Sequence, residues 1–218
     1  MQEHELSFSF KARYYQLGEI SSTTKQVWFV LHGYGQLAKF FLPKFETLQK
    51  QNICVVAPEG LSRFYLEDVT KRAVTGNNRV GATWMTAENR LMDIDNYLNY
   101  LQHVYQTILS NGTSAPVTIL GFSQGSATAS RWAIHYPENY QRLILWSGIF
   151  PPDMDFEKGN EILSHKDVTV VYGKHDPFIN EGRLKEMTDL TMRLGIKPTQ
   201  ITFDGGHEIH EPTLHLLV

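Results

Sequence analysis

The stretch Val117-Thr-Ile-Leu-Gly-Phe-Ser-Gln-Gly-Ser-Ala127 joins a short apolar run to a helical pattern through a serine flanked by glycines. Its first four residues are β-branched or apolar, which is typical of a strand buried on both faces. The G-x-S-x-G turn follows at once, and a helical pattern continues to Tyr136. In this strand–turn–helix context, the pattern predicts a nucleophilic Ser123 at a sharp turn, with the amide of Gln124 at a helix N-terminus.

Apolar segments that fit buried strands recur along the whole chain. They lie at 27–31, 53–57, 143–146, 168–172 and 200–203, and helical patterns lie at 40–49, 88–109 and 181–194. Strands that alternate with helices predict an α/β fold, in which a mostly parallel central sheet carries helices on both faces. An alternating segment at 6–15 predicts an antiparallel edge strand. Because ligands bind such sheets beyond the carboxyl ends of the strands, functional residues are expected directly after strands.

Length and composition predict one globular domain that covers residues 1–218. The chain has 42% hydrophobic and 20% charged residues, and its net charge of −3 offers no case for nucleic-acid binding. No apolar run is long enough to span a membrane, and the first residues do not resemble a secretory signal. Cys54, the single cysteine, lies in a predicted strand and is expected to be a core residue. These features predict a cytoplasmic protein and leave its oligomeric state open.

A nucleophilic serine needs a base that is oriented by a third group. His207 follows the last predicted strand in Asp204-Gly-Gly-His207, where two glycines allow the loop to direct the imidazole back across the sheet. Asp176 follows the strand at 168–172 and precedes a proline, so it is the preferred acid. Asp204 is the alternative acid, and His175 is expected to face solvent.

The turn Leu31-His-Gly-Tyr-Gly35 also follows a predicted strand. Its glycines allow backbone N–H groups to approach a substrate oxygen, and the predicted oxyanion donors are the amides of Tyr34 and Gln124. His32 is expected to cap local backbone rather than to act as a base.

Five motifs make the chain similar to the phospholipase/carboxylesterase family of α/β-hydrolases, which includes the acyl-protein thioesterases. They are, in the family's order, Leu31-His-Gly-Tyr-Gly35, Gly121-Phe-Ser-Gln-Gly125, Trp146-Ser-Gly-Ile-Phe-Pro151, Gly173-Lys-His-Asp-Pro177 and Gly206-His207. The resemblance implies an α/β-hydrolase fold, with Ser123 as nucleophile, Asp176 as acid and His207 as base. Gln36 and Ser126 depart from the Asp and Gly that the family commonly has. Together with an unfamiliar segment at 63–84, they argue against depalmitoylation of proteins.

The segment 58–84 has no clear period and is too long for a plain connection, and loops of this length are usually functional or disordered. Phe64, Tyr65, Trp84 and Met85 are predicted to line an acyl or alcohol pocket. The alternative is that the last two anchor the segment to the core. The short connection between 148 and 168 predicts that no large cap domain is inserted, which favours short or medium acyl groups.

The residues together predict a serine hydrolase that needs no cofactor and no metal. Its substrate is expected to be a small-molecule carboxylic ester or thioester, cleaved through an acyl-enzyme. Three alternatives remain open at this point. The same triad would serve acyl transfer or peptide cleavage, and a homologue without catalysis would be a ligand-binding module.

Overall fold

In the computed structural model, which describes residues 1–110 and 112–218, seven strands form one sheet and two form a smaller sheet. The strands are β1 (Tyr14–Leu17), β2 (Gln26–Leu31), β3 (Ile53–Pro58), β4 (Ser62–Tyr65), β5 (Val80–Thr83), β6 (Val117–Phe122), β7 (Arg142–Trp146), β8 (Asp167–Gly173) and β9 (Thr199–Phe203). The helices are α1 (Ala38–Phe41), α2 (Glu46–Gln49), α3 (Val69–Thr75), α4 (Arg90–Leu109), α5 (Gln124–His135), α6 (Phe156–Leu163), α7 (Glu181–Arg193) and α8 (Glu211–His215). Two 3₁₀ turns lie at Leu42–Phe45 and Pro137–Asn139.

The large sheet has the strand order β1-β3-β2-β6-β7-β8-β9. Only the pair of β1 and β3 is antiparallel, and every other neighbouring pair is parallel. The predicted α/β-hydrolase fold is therefore confirmed. Because the parallel strands share one direction, the turns that follow β2, β6, β7, β8 and β9 all lie at the same edge of the sheet.

The edge strand β1 is shorter than the sequence predicts. The expected strand over 6–15 is wrong for residues 6–13, which form no regular structure. Leu6, Phe8 and Phe10 alternate as a strand would, but they are 81%, 75% and 54% exposed. No neighbouring strand pairs with them, so an alternating pattern alone does not stabilise a strand here.

Helices cover both faces of the large sheet, as predicted. On β2, Val27 and Phe29 point into one core, which also takes buried side chains from α4, α5, α6 and α7. Trp28 and Val30 point into the opposite core, which takes side chains from α1, α2 and α8. This alternation explains why the central strands are apolar on both sides. Of the helices in the described residues, none is both long and apolar enough to cross a membrane.

The segment 58–84 is regular, and its description as an irregular loop is wrong. It contains β4 and β5 as an antiparallel pair, with α3 between them. Each strand has four residues, which is too short to produce a clear period. The Gly35 amide donates to the Ala82 carbonyl at 2.9 Å, and the Ala82 amide donates to the Gln36 carbonyl at 3.0 Å. The small sheet is thereby held against the turn after β2, at the edge where functional residues were predicted.

Candidate active site

Ser123 lies in the turn between β6 and α5, with φ 53° and ψ −118°. Non-glycine residues rarely adopt this conformation, and it persists only where the surrounding structure enforces it. The flanking glycines are required by close backbone approaches. A Cβ on Gly121 would lie 2.2 Å from the Gly125 carbonyl oxygen, and one on Gly125 would lie 2.2 Å from the Leu31 oxygen. The Ser123 amide donates to the Trp146 carbonyl at 2.9 Å, which ties the turn to β7.

Ser126 replaces the glycine that often follows this turn in the resembling family. Its buried hydroxyl donates to the Gly121 carbonyl at 2.7 Å. Gly148 faces it across the packing, where a Cβ would lie 2.3 Å from Ser126 Oγ. A side chain is therefore tolerated at 126 because there is none at 148.

Asp176 follows β8, and His207 follows β9. His207 Nδ1 lies 2.7 Å from Asp176 Oδ2, and the two side chains are 20% and 0% exposed. Because a carboxylate only accepts, Nδ1 carries the proton and Nε2 is left as the acceptor nitrogen. The other Asp176 oxygen accepts the Phe178 amide at 2.9 Å. The imidazole packs between Phe122 and Phe178, with 4.7 Å between ring centroids in each case, and Phe122 directly precedes Ser123.

The alternative acid, Asp204, lies in a second histidine–carboxylate pair. His175 Nε2 lies 2.8 Å from Asp204 Oδ1, and the side chains are 73% and 85% exposed. Asp204 is therefore next to His175 rather than His207, and His175 faces solvent as predicted.

The turn after β2 presents the backbone of Tyr34. Gln36 Oε1 accepts the Gly33 amide at 2.8 Å, so the residue that departs from the resembling family closes this turn. Within residues 1–110 and 112–218, the Tyr34 and Gln124 amides make no hydrogen bond to the protein. Both are free to donate to a substrate oxygen.

His32 is a structural residue. Its Nε2 accepts the Gly60 amide at 3.0 Å, and its Nδ1 lies 2.8 Å from the Gly33 carbonyl. Burial lowers the pKa of His32 below its ordinary value, so the ring remains neutral at physiological pH. Burial likewise raises the pKa of the Cys54 thiol to about 11, which agrees with its prediction as a core residue.

A family model described as serine hydrolase (FSH1) matches residues 21–215. The chain belongs to the FSH1 serine hydrolase family. This serine hydrolase family agrees with the predicted resemblance to the phospholipase/carboxylesterase family of α/β-hydrolases. Among curated proteins, no sequence relative matches this hydrolase.

Solved structures similar to this FSH1-family hydrolase include esterases and a thioesterase. They include the esterase PE8, with 22% identity, a TM-score of 0.69 and coverage of 95% of this chain and 96% of that one. The acyl-protein thioesterase 2 of Zea mays has 18% identity, a TM-score of 0.68 and the same coverages. The carboxylesterase of Bacillus cereus has 17% identity and a TM-score of 0.66, with coverage of 94% and 91%. At these identities the likeness establishes the fold.

A cavity of about 490 Å³ opens beside Ser123 in this hydrolase. Its walls come from α5, from the first turns of α4 and α7, and from the turns after β7 and β8. Of the four residues predicted to line a pocket, Met85 does so. Trp84 is 2% exposed and donates from its indole to the His32 carbonyl at 2.8 Å, so it anchors the chain to the core.

Phe64 and Tyr65 lie outside this cavity. Phe64 packs on the Tyr34 ring at 5.1 Å between centroids, and Tyr65 lies under the Arg72 guanidinium, 3.7 Å from its ring centroid. The prediction that these two rings line the pocket is wrong for this cavity. Successive side chains of β4 point to opposite faces, so Phe64 packs on Tyr34 and Tyr65 packs on Arg72.

Arg131, Asp153 and the side chain of Gln124 also line the cavity, although the sequence motifs did not predict them. The Gln124 amide oxygen accepts from the Trp84 amide at 3.3 Å, and its nitrogen donates to the Met85 carbonyl at 3.0 Å. Arg131 was detectable, because residues three, four and seven positions after 124 share one face of a helix. No motif or periodic pattern in the sequence around Asp153 indicated that it would line the cavity.

Proposed function

We propose that the chain hydrolyses carboxylic esters, and thioesters of similar size, through an acyl-enzyme. Ser123 is the nucleophile, His207 the general base and Asp176 the group that orients the imidazole. The observation that carries the proposal is the buried 2.7 Å contact of His207 with Asp176, on a ring packed against the residue before Ser123. The proposal takes residues 1–218 as one hydrolase domain.

In the acylation step, Ser123 Oγ forms a bond to the acyl carbon while its proton passes to His207 Nε2. The carbonyl oxygen gains the negative charge, and the Tyr34 and Gln124 amides donate to it. When the tetrahedral intermediate collapses, the bond to the alcohol or thiol breaks and the leaving group takes the proton from Nε2. Asp176 keeps the proton of Nδ1 in place and stabilises the imidazolium.

In the deacylation step, water gives a proton to Nε2 and its oxygen bonds to the acyl carbon. Collapse of the second intermediate breaks the bond to Ser123, which recovers its proton from Nε2. The cavity volume is within the range that small-ligand sites occupy, which supports acyl groups of short to medium length.

The test is Ser123→Ala, assayed with p-nitrophenyl butyrate and with a fluorophosphonate probe. We expect the variant to lose turnover by about 10⁶-fold and to lose all labelling. Ser126→Ala is the matched control, because it removes a serine hydroxyl three residues away that bonds only to backbone. It should still be labelled at Ser123. Full activity of Ser123→Ala would refute the proposal.

A further inference from the structure

The cavity beside Ser123 follows one face of α5 toward a buried arginine. Gln124, Ala127, Thr128 and Arg131 all line it, at the spacing that places side chains on one face of a helix. Residues 124 and 131 are separated by about 10 Å along the helix axis. Side chains on a helix lean toward its N-terminus, so the Arg131 guanidinium lies nearer to the serine than its backbone does.

In this cavity, the carboxylate of Asp153 forms ion pairs with two guanidinium groups. Arg131 Nη2 donates to Asp153 Oδ1 at 2.7 Å, and Arg90 pairs with the other oxygen of the same carboxylate. Nη1 of Arg131 donates to two neutral groups, Tyr97 Oη at 3.4 Å and Met85 Sδ at 3.6 Å. The Arg131 side chain is 10% exposed, so its charge is poorly solvated.

Asp153 remains ionised within this cluster. Burial acts to raise its pKa, but the hydrogen bond and charge of Arg131, with the bond from Arg90, outweigh burial and lower the pKa below its ordinary value. Two guanidiniums and one carboxylate therefore carry a net charge of +1. The remaining charged residue of the wall, Arg183, has its own partner in Glu186 at 2.7 Å.

We infer that the substrate acyl group carries a carboxylate at its far end, which binds to Arg131 and Arg90 beside Asp153. This inference rests on the proposed function, because the ester must then reach Ser123. A monoanion balances the excess charge of the cluster, and guanidinium groups suit carboxylates geometrically. The apolar wall, which includes Ile149 and Phe150, accommodates the methylene chain between the ester and the carboxylate. The substrate class is the monoester of a dicarboxylic acid.

The basic residues of 58–84 do not provide this site. Arg63 lies 3.6 Å from Glu59, and Arg72 lies over the Tyr65 ring. Neither lines the cavity beside Ser123. The positive charge that faces the substrate comes instead from α4 and α5.

The test compares monomethyl adipate with the uncharged methyl heptanoate, following acid release. In the wild type, kcat/KM should favour the adipate monoester by about tenfold or more, as expected for a hydrogen bond to a charged group. Arg90→Gln removes the excess charge and should abolish this preference. Asp153→Asn keeps an acceptor for Arg131 but raises the net charge, so it should increase the preference severalfold.

The opposite directions of these two variants distinguish binding from a structural role. If the cluster only stabilised the fold, both variants would lower activity on both esters and leave the ratio unchanged, which would overturn the inference. Arg142→Gln is the matched control, because it breaks an arginine–carboxylate pair with Asp167 at the opposite edge of the sheet. It should leave the ratio unchanged.

A binding measurement separates this inference from the proposed function. Ser123→Ala should bind monomethyl adipate in calorimetry, and the added change Arg90→Gln should weaken that binding by about tenfold. If the wild type hydrolysed neither ester while this binding was observed, the proposed hydrolysis would be refuted and the carboxylate site would stand. Turnover of methyl heptanoate without any preference for the charged ester would refute the carboxylate site alone.

Discussion

Two histidine–carboxylate pairs lie at the same edge of the sheet and have almost equal distances. His207 and Asp176 are 2.7 Å apart, and His175 and Asp204 are 2.8 Å apart. Their surroundings differ, because the first pair has side chains 20% and 0% exposed and the second has 73% and 85%. A solvated pair of this kind contributes little free energy and holds its geometry weakly, whereas a buried pair orients its imidazole. Distance alone therefore does not distinguish the two pairs.

The loops that follow β8 and β9 each supply one residue to each pair, because the two loops run alongside each other. The His175 amide donates to the Gly205 carbonyl at 2.9 Å, and the Lys174 amide donates to the Phe203 carbonyl at 2.9 Å. The approach is close enough that a Cβ on Gly173 would lie 2.3 Å from the Gly205 oxygen. Each loop consequently sends one side chain to solvent and another into the buried pair.

Replacing the two histidines should give the largest contrast. If His207 is the base, His207→Gln should lower kcat for p-nitrophenyl butyrate by about 10⁶-fold, because proton transfer from Ser123 is lost. His175→Gln should change kcat by less than about twofold, as is usual for an exposed side chain. Equal losses in the two variants would contradict the difference between the pairs.

Replacing the two carboxylates should give a smaller contrast in the same assay. Asp176→Asn is expected to lower kcat by about 10⁴-fold, since an amide at this position favours the wrong tautomer of His207. Asp204→Asn should leave kcat within about twofold. A large loss in the second variant would transfer the role of the acid to Asp204.

The smallest effect should be on stability, measured by urea unfolding. Asp176→Ala leaves the His207 ring and the Phe178 amide without their acceptor, which should lower the free energy of unfolding by about 2 kcal/mol. Asp204→Ala removes an exposed carboxylate and should have no measurable effect. A stability loss of the same size in both variants would mean that the burial of Asp176 is not what distinguishes its pair.

Much of the fold was predictable because it depends on local patterns. The apolar runs at 27–31 and 168–172 correspond to β2 and β8 within one residue at each end. The predicted strand at 6–15 was wrong over residues 6–13 for a physical reason, since a strand needs a partner strand and these residues have none. The prediction of an irregular loop at 58–84 was wrong for the opposite reason. Its two strands have only four residues each, too few to show a period, and their pairing with each other stabilises them.

The candidate site was predictable only as positions along the chain. The G-x-S-x-G pattern predicted Ser123, and the rule that functional residues follow strands predicted Asp176 and His207. The rule could not exclude Asp204, which follows a strand as well, and it directed attention to Phe64 and Tyr65 rather than to Arg131. These choices depend on which side chains meet in space.

The sequence by itself determined the six parallel strands of the large sheet, the glycine-flanked turn at Ser123 and the family to which the chain is similar. It did so because periodicity and close-packed glycine turns are properties of neighbouring residues. Only the tertiary structure decided that His207 meets Asp176, 31 residues away, and that Arg131 shares Asp153, 22 residues away, with Arg90. Such contacts depend on how loops that follow different strands pack together and on which carboxylate they bury. Neither can be inferred from the pattern of neighbouring residues.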